Sequence, residues 1–133
     1  MNAVDTNILI YARDPRDARK QATAETLISS MVDGVLLWQV ACEYLAASRK
    51  LEQFGYDREQ AIADLADMRH AWQTILPSWD VLDDALRLLR RYRLSFWDAT
   101  LIAACLEAGV TRPYSEDFDA SARAEGLEIV NPF

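Results

Sequence analysis

Residues 3–12 decide the fold, and they read Ala3-Val4-Asp5-Thr6-Asn7-Ile8-Leu9-Ile10-Tyr11-Ala12. The apolar pair before Asp5 is typical of a short buried strand, and the apolar run after Asn7 is typical of a helix. Between them lie polar residues of the kind that begin helices. The stretch therefore predicts a strand that runs directly into a helix, the opening unit of an α/β sheet.

The rest of the chain continues this alternation of strand and helix. The hydrophobic patterns predict further strands near 35–38, 74–77, 110–114 and 127–130, and helices near 16–31, 39–53, 57–72, 80–89 and 96–108. Pro113 is typical of an edge or irregular strand. We therefore predict one α/β domain over residues 1–133, built around a mainly parallel sheet of about five strands.

Composition and charge restrict the partners of this chain. Of 133 residues 51% are hydrophobic and 26% are charged, which is ordinary for a soluble globular protein. The net charge of −7 repels nucleic acid unless the charges are segregated or a metal neutralises some carboxylates. No run approaches the roughly 18 apolar residues of a membrane span, and the amino terminus lacks a signal pattern. We expect a cytoplasmic protein without a membrane partner.

Four acidic residues fall where the carboxyl ends of parallel strands would meet. Asp5 ends the first predicted strand, Glu43 lies early in the helix after the second, Asp98 begins a largely apolar helix, and Asp117 follows a late strand. Ligands of open parallel sheets bind outside these strand ends. Because Mg²⁺ and Mn²⁺ prefer oxygen ligands, the four acids predict a site for a divalent cation.

Each acid also has a structural explanation. Asp5 could cap the helix that follows it, and Ser95 to Asp98 has the pattern of a capping box. The acids of 115–119 could form a solvated turn, and any of them could be the ligand. Glu43 lies beside an apolar stripe where a carboxylate would lack a partner, which favours a functional role.

The remaining distinctive residues favour structural roles. His70 is the one histidine of the sequence, and we interpret it as a solvated or capping residue. Cys42 and Cys105 lie in apolar helical sequence and are expected to be reduced core residues. The tryptophans are also expected to build the core, and an arginine cluster is a candidate RNA-facing patch or a solvated helix end. These are Trp38, Trp72, Trp79 and Trp97, and Arg87, Arg90, Arg91 and Arg93.

Four segments of the chain, in order, resemble the motifs of the PIN-domain family. Residues 4–12 closely match the opening motif, and residues 38–44 resemble the second, which contains a glutamate. Ser95-Phe96-Trp97-Asp98-Ala99 matches the third motif, and Ser115-Glu116-Asp117-Phe118 resembles the fourth. The motifs cover nearly the whole chain, whose length is typical of the VapC-like toxin branch of the family.

This resemblance implies a three-layer α/β/α sandwich and an endoribonuclease toxin that depends on Mg²⁺ or Mn²⁺. Asp5, Glu43, Asp98 and Asp117 match the acidic catalytic and metal-ligand positions, with Asp119 as an alternative fourth acid. By similarity, the partners would be RNA, a small antitoxin that blocks the acidic pocket, and a second copy of the chain. The sequence departs from the family where Arg112-Pro113 replaces an apolar strand. Thr6, Asn7 and Ser115 match supporting polar positions.

Two other classes of function stay open at this point. A catalytically inactive PIN-like binding module would use the same acids as helix caps. An aspartyl-phosphate phosphatase would use Asp5 as a nucleophile, but it usually has a second acid two residues later, where this chain has Asn7.

Overall fold

The computed structural model describes residues 1–118, residue 123 and residues 125–133. Within these residues the strands are β1 (Asn2–Val4), β2 (Gly34–Leu37), β3 (Gln73–Ile75) and β4 (Arg112–Tyr114). The α-helices are α1 (Thr6–Tyr11), α2 (Ala18–Ser30), α3 (Trp38–Ala47), α4 (Arg58–Ala71), α5 (Trp79–Arg91) and α6 (Phe96–Glu107). A 3₁₀ helix, Ser48–Phe54, continues α3 and ends at Gly55, whose φ of 92° suits glycine.

The strands form one parallel sheet in the order β3-β2-β1-β4. In the register of the sheet, Ala3 of the central strand β1 pairs with Val35 on one side and Pro113 on the other. Because parallel neighbours need crossover connections, helices separate the strands along the chain. The predicted α/β/α class is confirmed, and the sheet places the ends of β1, β2 and β4 at one edge.

The sheet has four strands in the described residues, whereas about five were predicted. The segment 127–130 runs beside β4, but it contributes a single parallel bridge between Val130 and Tyr114. The Val130 amide donates to the Pro113 carbonyl at 3.0 Å. Pro113 has no amide hydrogen that it could donate to the segment 127–130, so the ladder of hydrogen bonds is interrupted at this point.

The core lies between the sheet and its helices. Strand β2 is buried over its full length, and α6 contributes a run of buried residues from Ala99 to Ala103. Helix α5 packs on α6, while α1 contacts α2 and α3. None of the helices in the described residues has the length and hydrophobicity to cross a bilayer.

Candidate active site

Asp5 lies at the carboxyl end of the central strand, and its two carboxylate oxygens have different partners. Oδ1 accepts the Thr6 amide at 2.7 Å and so caps α1, as one interpretation predicted. Oδ2 accepts the Ser115 hydroxyl at 2.8 Å. The Asp5 amide donates to the Tyr114 carbonyl at 2.9 Å, which joins the ends of β1 and β4. Asp5 therefore caps a helix and faces the strand edge at the same time.

Asn7 links Asp5 to the turn that follows β4. Its Nδ2 lies 3.4 Å from Asp5 Oδ2, 3.3 Å from Ser115 Oγ and 3.2 Å from Asp117 Oδ2. The other amide atom, Oδ1, is buried and has no hydrogen-bond partner among the described residues. A buried acceptor of this kind is rare in proteins, and here it belongs to the side chain whose Nδ2 faces Asp5 and Asp117. It is therefore an oxygen available to a cation or a water molecule.

Glu43 reaches the same edge from α3 and is held by two side chains. Thr6 Oγ1 donates to Glu43 Oε2 at 2.9 Å, and Gln39 Nε2 donates to Glu43 Oε1 at 2.8 Å. The expectation that Glu43 lacks a partner was wrong. Gln39 also accepts the Thr100 hydroxyl at 2.8 Å, which connects α3 to α6. Gln39 was not predicted as a site residue, although its place one helical turn before Glu43 was a signal in the sequence.

The charges of Glu43 and Asp98 act on Asp5. Burial, together with the negative charges of Glu43 and Asp98, raises the pKa of Asp5 to about 6, although hydrogen bonds from Ser115 and Thr6 oppose the rise. Asp98 lies in the first turn of α6, where its amide donates to Ser95 Oγ at 3.1 Å. Thr6 therefore links Asp5 to Glu43, Asn7 links Asp5 to Asp117, and Asp98 is near enough for its charge to affect the pKa of Asp5.

The donor atoms at this edge suit a hard divalent cation. They are carboxylate, hydroxyl and amide oxygens, which Mg²⁺ and Mn²⁺ prefer. Among the described residues, no three His, Cys, Asp or Glu side chains already form a cage for a metal. Mg²⁺ usually keeps several waters and takes only one or two carboxylates from a protein. The buried Asn7 Oδ1 and the raised pKa of Asp5 indicate that the residues present fit such an ion.

The acids of the turn after β4 have different positions. Asp117 is exposed and points towards Asn7, whereas Glu116 bonds to Tyr11 and Lys20 on the other side. Asp119, the alternative fourth acid, lies outside the described residues. Of Glu116 and Asp117, therefore, Asp117 is the one that reaches the cluster.

Two aromatic side chains line a hollow beside Glu43. Trp38 is 52% exposed, Trp97 63% and Trp79 80%, so the prediction that the tryptophans build the core is correct for Trp72 alone. Trp38 and Trp97 lie in the first turns of α3 and α6, which begin at the sheet edge. Together with Glu43 they line a hollow of about 510 Å³. Cys42 lines it too and is exposed, contrary to expectation, while Cys105 is buried as predicted.

The arginine cluster at the carboxyl end of α5 is partly neutralised. Arg87 bonds to Asp84 at 2.6 Å and to Glu125 at 3.2 Å, and Arg91 lies 3.9 Å from Glu125. These acids compete with phosphate for the same guanidinium groups. The RNA-facing role of this cluster stays a prediction.

Comparison with known proteins agrees with the architecture. The family model for the PIN domain matches residues 3–126. A toxin-antitoxin complex from Klebsiella pneumoniae has a TM-score of 0.75 at 19% identity, covering 100% of this chain and 98% of that one. VapC20 from Mycobacterium tuberculosis, described as a Sarcin-Ricin loop cleaving toxin, has a TM-score of 0.70 at 25% identity, covering 96% of each chain. VapBC2 from Rickettsia felis, solved with a promoter DNA fragment, has a TM-score of 0.68 at 15% identity, covering 98% and 97%. Curated protein sequences give no match.

Proposed function

The chain belongs to the PIN domain family, and on that premise we propose that it is a metal-dependent endoribonuclease toxin of the cytoplasm, neutralised by a cognate antitoxin. One observation carries the proposal: acids from distant parts of the chain gather at one sheet edge. Thr6 bonds to both Asp5 and Glu43, and Asn7 Nδ2 lies within 3.4 Å of both Asp5 and Asp117. Asp98 is near enough for its charge to contribute to the raised pKa of Asp5. An arrangement in which these acids only capped helices would not need to gather so much negative charge in one place.

The carboxylates act as ligands in this proposal and not as nucleophiles. When bound, Mg²⁺ or Mn²⁺ would supply a Lewis acid for the RNA phosphodiester and lower the pKa of the attacking water. Thr6 and Gln39 orient Glu43 through bonds of 2.9 and 2.8 Å. Asn7 and Ser115 each bond to both Asp5 and Asp117. These polar side chains fix the acids before substrate arrives.

The proposed partners follow from the chemistry of the site and from the relatives. RNA is the substrate because VapC20 is described as cleaving the Sarcin-Ricin loop. A small antitoxin is the partner because the Klebsiella relative was solved as a toxin-antitoxin complex. A basic antitoxin side chain placed among the acids would compensate their charge and block the site.

A second copy of the chain is the proposed partner of an exposed apolar face. Leu76 is 75% exposed and lines a hollow of about 310 Å³ with Phe96 and Trp97. Trp79 is 80% exposed and lies beside this hollow, next to Pro77 and Ser78, which line it too. A monomer rarely leaves so many large apolar side chains together in water. Light scattering should give the mass of a dimer, and Trp79→Ser should lower it; a monomeric wild type would contradict the proposal.

Replacing Asp98 by Asn tests the nuclease. We expect the wild type to cut total RNA with Mg²⁺ or Mn²⁺, and Asp98→Asn to lose at least about 99% of this activity while it keeps its fold. Asp80→Asn is the matched control, because Asp80 also lies in the first turn of a helix capped by serine but is exposed on α5. Cleavage by Asp98→Asn at the wild-type rate would refute the assignment. A wild type that neither binds Mn²⁺ nor cuts RNA would instead indicate a binding module.

A further inference from the structure

The carboxylate of Glu116 is held away from the acid cluster. Tyr11 Oη donates to Glu116 Oε2 at 2.6 Å, and the Lys20 ammonium bonds to Glu116 Oε1. The two neighbours of Glu116 point the other way: Ser115 Oγ donates to Asp5, and Asp117 lies within reach of the Asn7 amide. The turn thus has an anchored middle residue and functional residues on either side.

The anchor is partly shielded from water, which strengthens it. The side chains of Lys20 and Glu116 are 20% and 24% exposed. The Lys20 ammonium lies 4.6 Å from the centre of the Tyr11 ring and 5.3 Å from that of Phe133. The two rings pack edge to face at 5.0 Å. An ion pair in such surroundings is screened less than one at the open surface.

One contact of the turn brings two like charges around the same group, and an anchor opposes their repulsion. Asp5 and Asp117 share the Nδ2 group of Asn7, at 3.4 and 3.2 Å. Two carboxylates around one amide repel each other, and this repulsion favours an outward movement of the exposed Asp117. A contact on the opposite side of the turn opposes that movement.

We propose that Tyr11 and Lys20 hold Glu116 so that Ser115 and Asp117 stay in position beside Asp5 and Asn7. Glu116 is then a positioning residue of the candidate metal site and not a ligand of it. This inference rests on the proposed nuclease function, since it assigns a metal-binding consequence to the held turn. Its structural half, that these contacts keep the turn in place, is independent of metal.

Three variants separate positioning from simple charge effects. Glu116→Ala removes the anchor, Tyr11→Phe removes one hydroxyl but keeps the ring, and Lys20→Met removes one positive charge but keeps much of the stem. If charge alone mattered, Lys20→Met would bind Mn²⁺ more tightly, because it makes the region more negative. If position matters, it binds Mn²⁺ more weakly. The matched control is Glu128→Ala, which breaks an exposed ion pair with Arg112 of β4.

The readouts are amide hydrogen exchange at Ser115 and Asp117 and Mn²⁺ affinity measured by titration calorimetry. We expect exchange about tenfold faster in Glu116→Ala and Mn²⁺ affinity about tenfold weaker in Glu116→Ala and Lys20→Met. Tyr11→Phe should have a smaller effect of the same sign, and Glu128→Ala should behave as wild type. In RNA cleavage the loss should fall on kcat more than on KM.

Several results would overturn the inference. Wild-type exchange and Mn²⁺ affinity in folded Glu116→Ala would do so, as would tighter Mn²⁺ binding by Lys20→Met. If Glu116→Ala does not fold, Glu116→Gln, which keeps the shape of the side chain, takes its place with the same criteria. If the wild type itself binds no Mn²⁺, the nuclease proposal and the metal half of the inference both fail, and the exchange rates alone decide whether the turn is held.

Discussion

Replacing Asp5 by Asn should make the metal-free protein more stable at neutral pH. Burial and the charges of Glu43 and Asp98 raise the pKa of Asp5 from 3.8 to about 6, so the ionised carboxylate is unfavourable in the folded state. A rise in pKa of this size lowers the free energy of unfolding at neutral pH by about 3 kcal/mol. The asparagine is always neutral, so it avoids this penalty, but it gives up an oxygen that accepts from Ser115, at a loss of about 1 kcal/mol. The expected net gain is about 2 kcal/mol.

The stability of Asp5→Asn relative to wild type should increase as the pH rises. The unfolded carboxyl ionises near pH 3.8 and the folded one near 6, so the penalty is absent below about pH 4 and grows as the pH rises to about 6. Above that it stays constant. Thermal unfolding in EDTA should therefore give Asp5→Asn a melting temperature roughly 6–10 °C above that of wild type at pH 7.5. The two proteins should differ little at pH 4.

Saturating Mn²⁺ should reverse the order of stability. The wild type gains stability from a bound cation, whereas Asp5→Asn lacks a carboxylate to hold it. Asp80→Asn, which replaces an exposed acid, should stay within about 0.5 kcal/mol of wild type under both conditions. If Asp5→Asn is no more stable than wild type at pH 7.5 in EDTA, the ionised Asp5 carboxylate does not destabilise the folded protein, and the prediction is wrong.

Two further predictions concern the scaffold. Glu125→Gln should lower stability by about 1 kcal/mol at pH 7, because Glu125 accepts hydrogen bonds from Arg87 and from Tyr92 at 2.8 Å. Since Arg87 lowers the pKa of Glu125, this difference in stability should vanish as the pH falls below the pKa that Glu125 has in the folded protein. A difference in urea unfolding that does not change with pH would contradict this prediction. Gly34→Ala should lower the free energy of unfolding by about 1–3 kcal/mol, since its Cβ would lie 2.5 Å from the Trp72 ring. An unchanged urea midpoint would show that the ring moves aside freely.

The order of elements was predictable because its signals are local. The apolar pair before Asp5, the serine before α6 and the glycine at position 55 each act within a few residues. Even so, the pattern at 127–130 predicted a strand, and a single bridge formed because its neighbour is Pro113. A strand depends on hydrogen bonds with its partner, so the sequence of one segment is insufficient to predict it.

The exposure of the tryptophans was not predictable from their type. Trp38 and Trp97 lie in the first turns of helices at the sheet edge and are exposed to solvent, while Trp72 packs beside Gly34. Large aromatic residues are buried on average, but three of the four tryptophans of this chain are exposed. Their neighbours in space, and not their neighbours in sequence, determined burial.

By itself the sequence determined that short strands alternate with helices, and that acids follow the ends of several strands. Both depend on hydrophobic spacing and on capping, which act over one or two helical turns. The tertiary structure alone decided that Thr6 bonds to Glu43, that Asn7 joins Asp5 to Asp117, and that Glu116 faces away. Asn7 and Asp117 lie 110 positions apart along the chain. The direction of such side chains depends on how the sheet and helices pack, because each hydrogen bond needs both partners within about 3 Å.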